Sequence, residues 1–380
     1  MVACVAAACA GCSGYTAQRA TAPGNAVGTA GSLEPVVWVE HDGAKCDGVA
    51  DDTAAIRGAA AALPPSGGTL QFPKGVCLIH GTIYVGSHTH VLGDGTTLMA
   101  ALPWNADHSA GYALMENLHY QGGTVVDSDI SVRDMTFDYG NLAQLATPGG
   151  GKHALRFDFA HDILVDTNIF QVRGAEDAVA GLGVQNMKVQ HNRSYAFRNC
   201  AYDFWYGPSN VTLTDNFAET DHSAQMVNFN PERTAGDSAG MVAQGLVMSG
   251  NTLVATGPVA VPIQIEPLGP HTAVQDVSVT DNHLKNVYLV MRGNVRSARV
   301  ASNTISDLRG GASAIETYAH YGATANAITI SDNVITNVPT IASELGVIRL
   351  EAAHSMASGN TIQGVPHAAP DLYRGAFVPR

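Results

Sequence analysis

The stretch Ile163-Leu-Val-Asp-Thr-Asn168-Ile returns down the chain as Met187-Lys-Val-Gln-His-Asn192, Val211-Thr-Leu-Thr-Asp-Asn216-Phe and Leu246-Val-Met-Ser-Gly-Asn251-Thr-Leu. It returns again as Val277-Ser-Val-Thr-Asp-Asn282-His-Leu, Ala298-Arg-Val-Ala-Ser-Asn303-Thr-Ile, Ile328-Thr-Ile-Ser-Asp-Asn333-Val-Ile and Ser355-Met-Ala-Ser-Gly-Asn360-Thr-Ile. Within each copy apolar and polar residues alternate, the period of a strand with one face turned inward. Successive Asn residues lie 24, 24, 35, 31, 21, 30 and 27 apart, which suits one coil of three short strands per repeat with loops of variable length. An Asn at the corner accepts the left-handed backbone of a tight bend, and its amide can bond to the Asn of the next coil as an internal ladder. The expected fold is all-β, a single-stranded parallel β-helix (solenoid) with a short N-terminal capping helix. A β-sandwich or propeller would need hairpin turns such as Asn-Gly, and these are scarce.

Open solenoid ends invite strand addition and need a cover. Asp51-Asp52-Thr53 reads as a helix cap, Ala54 to Leu63 as a short Ala-rich helix with Ile56 and Leu63 available to plug the coil, and Pro64-Pro65 as its stop. The domain plan is then an export signal and flexible linker over 1–32, followed by one β-helix domain over 33–380, with its cap at about 33–100 and coils at about 101–365.

The first twelve residues are small and apolar and lead into a Ser/Thr/Gly/Ala-rich stretch ending at Ser32. Cys9-Ala10-Gly11-Cys12 is similar to a lipoprotein cleavage box with Cys12 as the acylated residue, although Cys9 stands where Leu is usual; a plain secretory leader and no export are the other readings. On both export readings, which are favoured, the expected location is extracytoplasmic, and the only route to a membrane is a lipid anchor at Cys12. No later stretch is long and apolar enough to span a bilayer. Outside the leader, Cys46, Cys77 and Cys200 remain. The first two form either a disulfide suited to an oxidising compartment or a pair of buried thiols, and Cys200 reads as packing.

A net charge of −13 and only 20 Lys and Arg in 380 residues exclude nucleic acid as a partner, because a polyanion needs a basic footprint. The same charge argues mildly against a strongly anionic substrate. Asp127, Asp129, Asp134 and Asp138 match no cation-binding loop and read as surface turns, so no metal is assigned.

Asp47-Gly48, Asp51-Asp52-Thr53-Ala-Ala-Ile56, Gly67-Gly68-Thr69-Leu70-Gln71-Phe72-Pro73-Lys74-Gly75, Gly81-Thr82-Ile83 and Leu92-Gly93-Asp94-Gly95 carry a family resemblance. Together with the coils, over roughly residues 36 to 365, they resemble the pectate-lyase-superfamily proteins, a group of glycoside hydrolases, polysaccharide lyases and phage tailspikes. The resemblance implies a right-handed coil and a polysaccharide or oligosaccharide partner; a homotrimer, as in the tailspike members, is left open by the sequence. It is specific for fold and weak for reaction. The Asn-Thr-Asp, Asp-Asp, Gly-His-Gly and Arg-x-Lys signatures of the group's polygalacturonases do not occur after residue 52, which argues against that activity. Lyases of the group use Lys or Arg as base, beside calcium in some cases; Lys188 and Lys285 sit on corner phrases, so a lyase would rely on Arg and could add calcium as its only cofactor. Asp158-Phe-Ala-His161-Asp162 is only faintly similar to the Asp-Pro-His-Asp of alginate epimerases.

Chemistry is expected on the strand that precedes each Asn phrase. With apolar residues inward, the outward column runs Asp203 and Trp205; Asn228 and Asn230; Gln264 and Glu266; Val290 and Arg292; Ala314, Glu316 and Tyr318; Arg349 and Glu351. Carboxylates, amides, Arg and aromatic rings stacked on one face are the inventory of a sugar-binding groove. Coils stand about 4.8 Å apart, so carboxylates one coil apart suit a retaining glycosidase and two coils apart approach the inverting range. The expected chemistry is inverting hydrolysis, with Glu266 as general acid, Asp203 or Glu316 positioning water, and Arg292 between Glu266 and Glu316. Trp205, Asn228, Asn230, Gln264, Tyr318, Arg349, Glu351, His222 and His320 are the expected substrate contacts. The bland alternative is that Glu266, Arg292, Glu316, Arg349 and Glu351 form a surface ion-pair ladder. A lyase or epimerase, or a non-catalytic polysaccharide-binding adhesin, are the competing functions.

Overall fold

The computed structural model describes residues 34–104, 112–120, 124, 126–140, 152–221, 223–232, 240–269, 271–338, 346–365 and 373–374. The leader with Cys12, together with His222 and Arg233, lies outside them.

Each coil is built from three short strands. One coil comprises Lys152–Asp158, Ala160–Asp166 and Ile169–Gln171; the next comprises Asp177–Leu182, Gln185–Gln190 and Arg193–Tyr195; the next comprises Tyr202–Trp205, Ser209–Thr214 and Phe217–Thr220. Every named pairing between strands is parallel, one coil on the next. The first strands of the coils form a single sheet of 11 strands among the described residues, from Ile83–Val85 to Tyr373–Arg374. The chain is a right-handed parallel β-helix, as its spacing and motifs require. Coil-on-coil pairing begins at Val36–Trp38 with Gly68–Gln71, well inside the segment assigned to the cap. No helix among the described residues is long and apolar enough to cross a membrane.

Inward residues stack in files. Val165, Val189, Leu213, Met248, Val279, Val300 and Ile330 follow one another at matched register, all buried. Such a file removes each side chain from water, at roughly 1.5–3 kcal/mol per fully buried aliphatic residue.

The Asn residues form the ladder their spacing predicts. From Asn168 to Asn333, each Asn sends both its backbone N–H and its Nδ2 to the Oδ1 of the next Asn, at 2.8–3.1 Å, and Nδ2 also reaches a backbone carbonyl of the coil below. One detail differs from expectation: the left-handed residue is the one before each Asn. Thr167, His191, Asp215, Asp281, Ser302 and Asp332 have φ between 53° and 57–58°, and Gly250 and Gly359 have φ of 68°. The bend precedes the amide so that the Asn itself can turn inward and stack.

The helix spans Thr53–Ala62, with Ile56 and Ala59 fully buried in the core. Its capping also differs from the simple reading. The Asp52 side chain, at the N-cap, makes no cap bond and instead accepts from the N–H groups of Lys45 (2.7 Å) and Cys46 (3.1 Å), while Asp51 Oδ1 accepts from Thr53 N at 3.0 Å. Cys46 and Cys77 are joined as a disulfide, and Cys200 is a buried free thiol.

Candidate functional site

Parallel register fixes which side chains share the outer wall of the 11-stranded sheet. One column runs Glu116, Arg156, Ala180, Asp203, Asn228, Gln264, Val290, Glu316 and Arg349. A second, two residues further on, contains Asp158, Leu182 and Trp205, then Arg292 and Tyr318 higher up. The outward placement of Asp203, Trp205, Gln264, Glu316, Tyr318 and Arg349 follows from this register. Ala314 departs from it: the residue is fully buried and packs in the core beside Ile315.

Ala314 belongs to a recurring irregularity. Ala154 and Leu155, Ala178 and Val179, Ala201 and Tyr202, Met226 and Val227, Ala314 and Ile315, and Val347 and Ile348 are consecutive pairs that both join the core. Two inward residues in a row break the strict alternation and release a third column, in which His153 sits in register with Asp177. Cys200 and Gln225 continue it: Cys200 N donates to Asp177 Oδ1 at 2.8 Å, and the Cys200 thiol donates to Gln225 Oε1 at 3.3 Å.

The columns converge on two clusters. In the first, Asp177 is fully buried, its Oδ1 also accepting from Asn199 Nδ2 at 3.0 Å and its Oδ2 lying 2.7 Å from His153 Nδ1. Asp203, one coil on, accepts from Asn228 Nδ2 at 2.7 Å, and Asn230 Nδ2 donates to Asn228 Oδ1 at 3.2 Å. Carboxylate oxygens of Asp177 and Asp203 lie within 4.8 Å of each other and of the Cys200 sulfur. The partly exposed Trp205 ring is 6.1 Å from that of His153. Below this, buried Arg156 forks onto Asp158 at 2.6–2.9 Å and lies 3.5 Å from Glu116.

Burial governs the protons here. It pushes Asp203 up to about 8, aided by the charge of Asp177; it lifts Asp177 to about 7 and Glu116 to about 8, the latter opposed by Arg156. Burial, with Arg156 next, lowers His153 to about 4, so its ring is neutral at pH 7. The three carboxyls bind protons more tightly folded than unfolded, so their stabilisation is complete below about pH 4 and is lost as pH rises through 7 to 8. His153 acts in the opposite sense only between about 4 and 6.5. In chelator-treated buffer, stability should therefore fall by on the order of 3 kcal/mol between about pH 6.5 and 8.5. Urea denaturation at several pH values checks this, and a flat or rising curve would contradict it.

The second cluster surrounds Glu266. Its Oε2 accepts from Gln264 Nε2 at 2.8 Å and lies 3.2 Å from Arg292 Nε, and its Oε1 is 2.5 Å from His320 Nδ1. Arg349 and Arg292 lie 4.7 and 5.8 Å from the Tyr318 ring, and Arg349 Nε donates to Glu351 at 2.8 Å. Glu316 accepts from Ser313 N at 3.2 Å, and burial raises its carboxyl. Gln225 Nε2, donating to Gln264 Oε1 at 2.8 Å, links the two clusters.

This geometry does not suit the expected pairing of acid and base. Asp203 and Glu266 are two coils apart but in columns two residues apart, as are Glu266 and Glu316; at about 4.8 Å per coil and 3.3 Å per residue each diagonal is roughly 12 Å, beyond the inverting range. Glu266 accepts from Gln264 Nε2 on one oxygen and meets His320 on the other, with Arg292 alongside, so both of its oxygens are already engaged within the wall. Sequence reasoning missed Glu116, Lys152, His153, Arg156 and Asp177. Lys152 lies among the coils on this same sheet, and burial lowers its ammonium.

Of the four aspartates read as surface turns, Asp129 and Asp134 are exposed left-handed turn residues. Asp127 and Asp138 are instead buried, the first accepting from Asn117 Nδ2 and His119 N at 2.8 Å, the second bound by Arg173 at 2.5–2.7 Å. His161 and Asp162 pair with each other at 2.7 Å on the exposed surface. Glu232 accepts from Leu268 N at 2.8 Å and from the Thr272 hydroxyl, which ties its segment to the loop of the next coil.

A family profile described as rhamnogalacturonase A/epimerase, pectate lyase-like, matches residues 36–235. No curated protein sequence matches the chain. Among solved structures it is similar to a family 28 exopolygalacturonase of Yersinia enterocolitica, at 13% identity and a TM-score of 0.62 over 90% of this chain and 77% of that one. An exopolygalacturonase of Thermotoga maritima gives 14% and 0.52 over 87% and 92%, and the A-module of the mannuronan C-5 epimerase AlgE4 of Azotobacter vinelandii gives 14% and 0.51 over 87% and 96%. At such identities these structures speak to the fold alone. The profile, however, covers more than half of the chain, from the capping helix to the strands that carry Asp177 and Asp203, and the chain belongs to the rhamnogalacturonase A/epimerase family of pectate-lyase-like proteins.

Proposed function

We propose that this chain is an exported carbohydrate-active enzyme that hydrolyses a glycosidic bond of a polysaccharide, with Asp203 as general acid. The observation that carries the reading is the placement of Asp203: a carboxyl in the outer-wall column two residues before Trp205, within 4.8 Å of the Asp177 carboxylate, where burial pushes its pKa up to about 8. Protonating a leaving-group oxygen at neutral pH requires such a carboxyl, and an aromatic ring supplies the platform for a sugar face. Asp177 is a positioning residue: it is fully buried, its charge favours the proton on Asp203, and the Asn199 amide and the Cys200 N–H hold it in place. The Glu266 cluster, with Tyr318, Arg349 and Glu351, binds the chain further along the wall. Export, with or without a lipid anchor at Cys12, and assembly as a homotrimer belong to the same proposal.

Lys152 favours a second reading. A buried lysine with a lowered pKa on the same sheet could remove a proton next to a uronate, the step of a lyase or an epimerase. Purified protein offered a panel of neutral and uronate polysaccharides, read by product mass and by ultraviolet absorbance, separates the readings. New reducing ends without absorbance support hydrolysis; an unsaturated product supports a lyase; an inverted uronate supports an epimerase; binding without product leaves an adhesin. Within the hydrolase reading, Glu266→Gln should cost about 2 kcal/mol of stability through the broken ion pairs yet lower kcat/KM no more than about tenfold. A loss as deep as that of an Asp203 variant would return the acid role to Glu266.

A further inference from the structure

The first cluster carries a donor set that sugar chemistry does not explain. An Asp177 oxygen, the Cys200 sulfur and an Asp203 oxygen lie within 4.8 Å of one another, all three residues buried. A buried thiol whose one weak hydrogen bond goes to Gln225 Oε1, within 4.8 Å of two carboxylates, is an unusual neighbour for a leaving-group acid, since it supplies it with neither charge nor a strong hydrogen bond. His153 adds an independent observation. Its side chain is only 6% exposed, and its Nδ1 lies 2.7 Å from Asp177 Oδ2, yet neither atom has a hydrogen-bond partner of acceptable alignment. A buried ring nitrogen and carboxylate oxygen left unmatched at contact distance are atoms that a cation held beside them would satisfy.

We infer that Asp177, Cys200 and Asp203, with His153 at their edge, form a binding site for a borderline-soft divalent cation of the zinc or cobalt(II) class. The donors decide the class. One thiolate, two carboxylates and an imidazole match the tetrahedral N/O/S environment of zinc, whereas calcium takes six to eight oxygens and magnesium an octahedron of oxygens. The ligand strands are rigid because each is fixed by the coil above and below: Asp177 lies in register with His153, and Asp203 with Ala180 and Asn228. Binding displaces the thiol proton and any carboxyl proton to the buffer, with no change of oxidation state. The metal occupies the oxygen that Asp203 would use to protonate a leaving group, so it acts as an inhibitor of turnover. That consequence rests on the proposed hydrolysis; the uptake itself does not.

The test uses the full chain, stripped with chelator and titrated with cobalt(II) chloride. The inference expects one equivalent bound outside the leader, with a thiolate-to-cobalt charge-transfer band and tetrahedral d–d absorption. Cys200→Ser should abolish the charge-transfer band and weaken binding more than tenfold, and His153→Gln should weaken binding while keeping the band. Absence of the band, or an identical band in Cys200→Ser, overturns the site. If turnover is established, zinc(II) should inhibit the parent chain more than tenfold more strongly than Cys200→Ser, and equal sensitivity overturns the inhibitory role. Cobalt uptake in a protein that turns over no polysaccharide sinks the hydrolase reading and leaves the metal site standing.

Discussion

Asn251→Ala is expected to cost the fold about 4–5 kcal/mol, enough to unfold a domain of ordinary stability. The Asn251 side chain accepts from the N–H and the Nδ2 of Asn216, both at 3.0 Å, and donates to Leu213 O at 2.9 Å and Asn282 Oδ1 at 2.8 Å. Alanine removes these four, and a fifth to Ser249 O at 3.2 Å, at once in a place where water hardly reaches. The Asn216 N–H and the Leu213 carbonyl are left buried without that partner, each at about 1–3 kcal/mol, and the gap adds to the cost. Neighbouring rungs share the loss, because Asn216 and Asn282 are held partly through Asn251. Urea denaturation provides the measure. Gln275→Ala is the control: its amide donates to Gln244 Oε1 at 2.9 Å on the exposed surface, so its loss should stay within about 0.5 kcal/mol. Equal losses for the two variants would mean that the ladder contributes nothing special to the stack.

Asp203→Asn should lower kcat/KM about a thousandfold at pH 6 to 7, within the range that general acid catalysis supplies. The amide keeps the shape of the protonated carboxyl and can still accept from Asn228 Nδ2, so the fold should tolerate it. The parent enzyme should lose activity as pH rises through about 8, where Asp203 gives up its proton. The substitution should also remove part of the alkaline loss of stability, leaving the variant more stable than the parent by on the order of 2 kcal/mol near pH 8.5. A variant that is inactive but no more stable at high pH would show that the proton resides elsewhere in the pair, on Asp177.

The coils, the ladder and the outer wall of the C-terminal half were legible in the sequence because each depends on a short period. Alternation places Gln264, Glu266, Arg292, Glu316, Tyr318 and Arg349 with no knowledge of contacts beyond one strand, and the repeated Asn fixes the register between strands. The cap was legible in outline, since Asp51, Asp52 and Thr53 announce a helix start. Only the folded chain showed that Asp52 holds the loop at Lys45 and Cys46 instead of the helix. The choice between disulfide and free thiols at Cys46 and Cys77 likewise needed a tertiary contact, because nothing local brings those sulfurs together.

The proton-binding cluster was decided by tertiary structure alone. Consecutive inward residues such as Ala154 and Leu155 break the period of two, so the column that carries His153, Asp177 and Cys200 has no signature in a strict alternation. Glu116 lies in a coil that precedes the first Asn phrase and carries no repeat to align it, whereas Arg156 lies on the strand just before that phrase, in the same coil. A sequence states which groups can ionise; only packing states which are taken out of water, and burial is what lifts Asp203 and Asp177 and lowers His153. The period-two pattern and the Asn repeat determined the scaffold because they are local. The site depends on how much solvent each carboxyl keeps, and that quantity exists only after the coils have stacked.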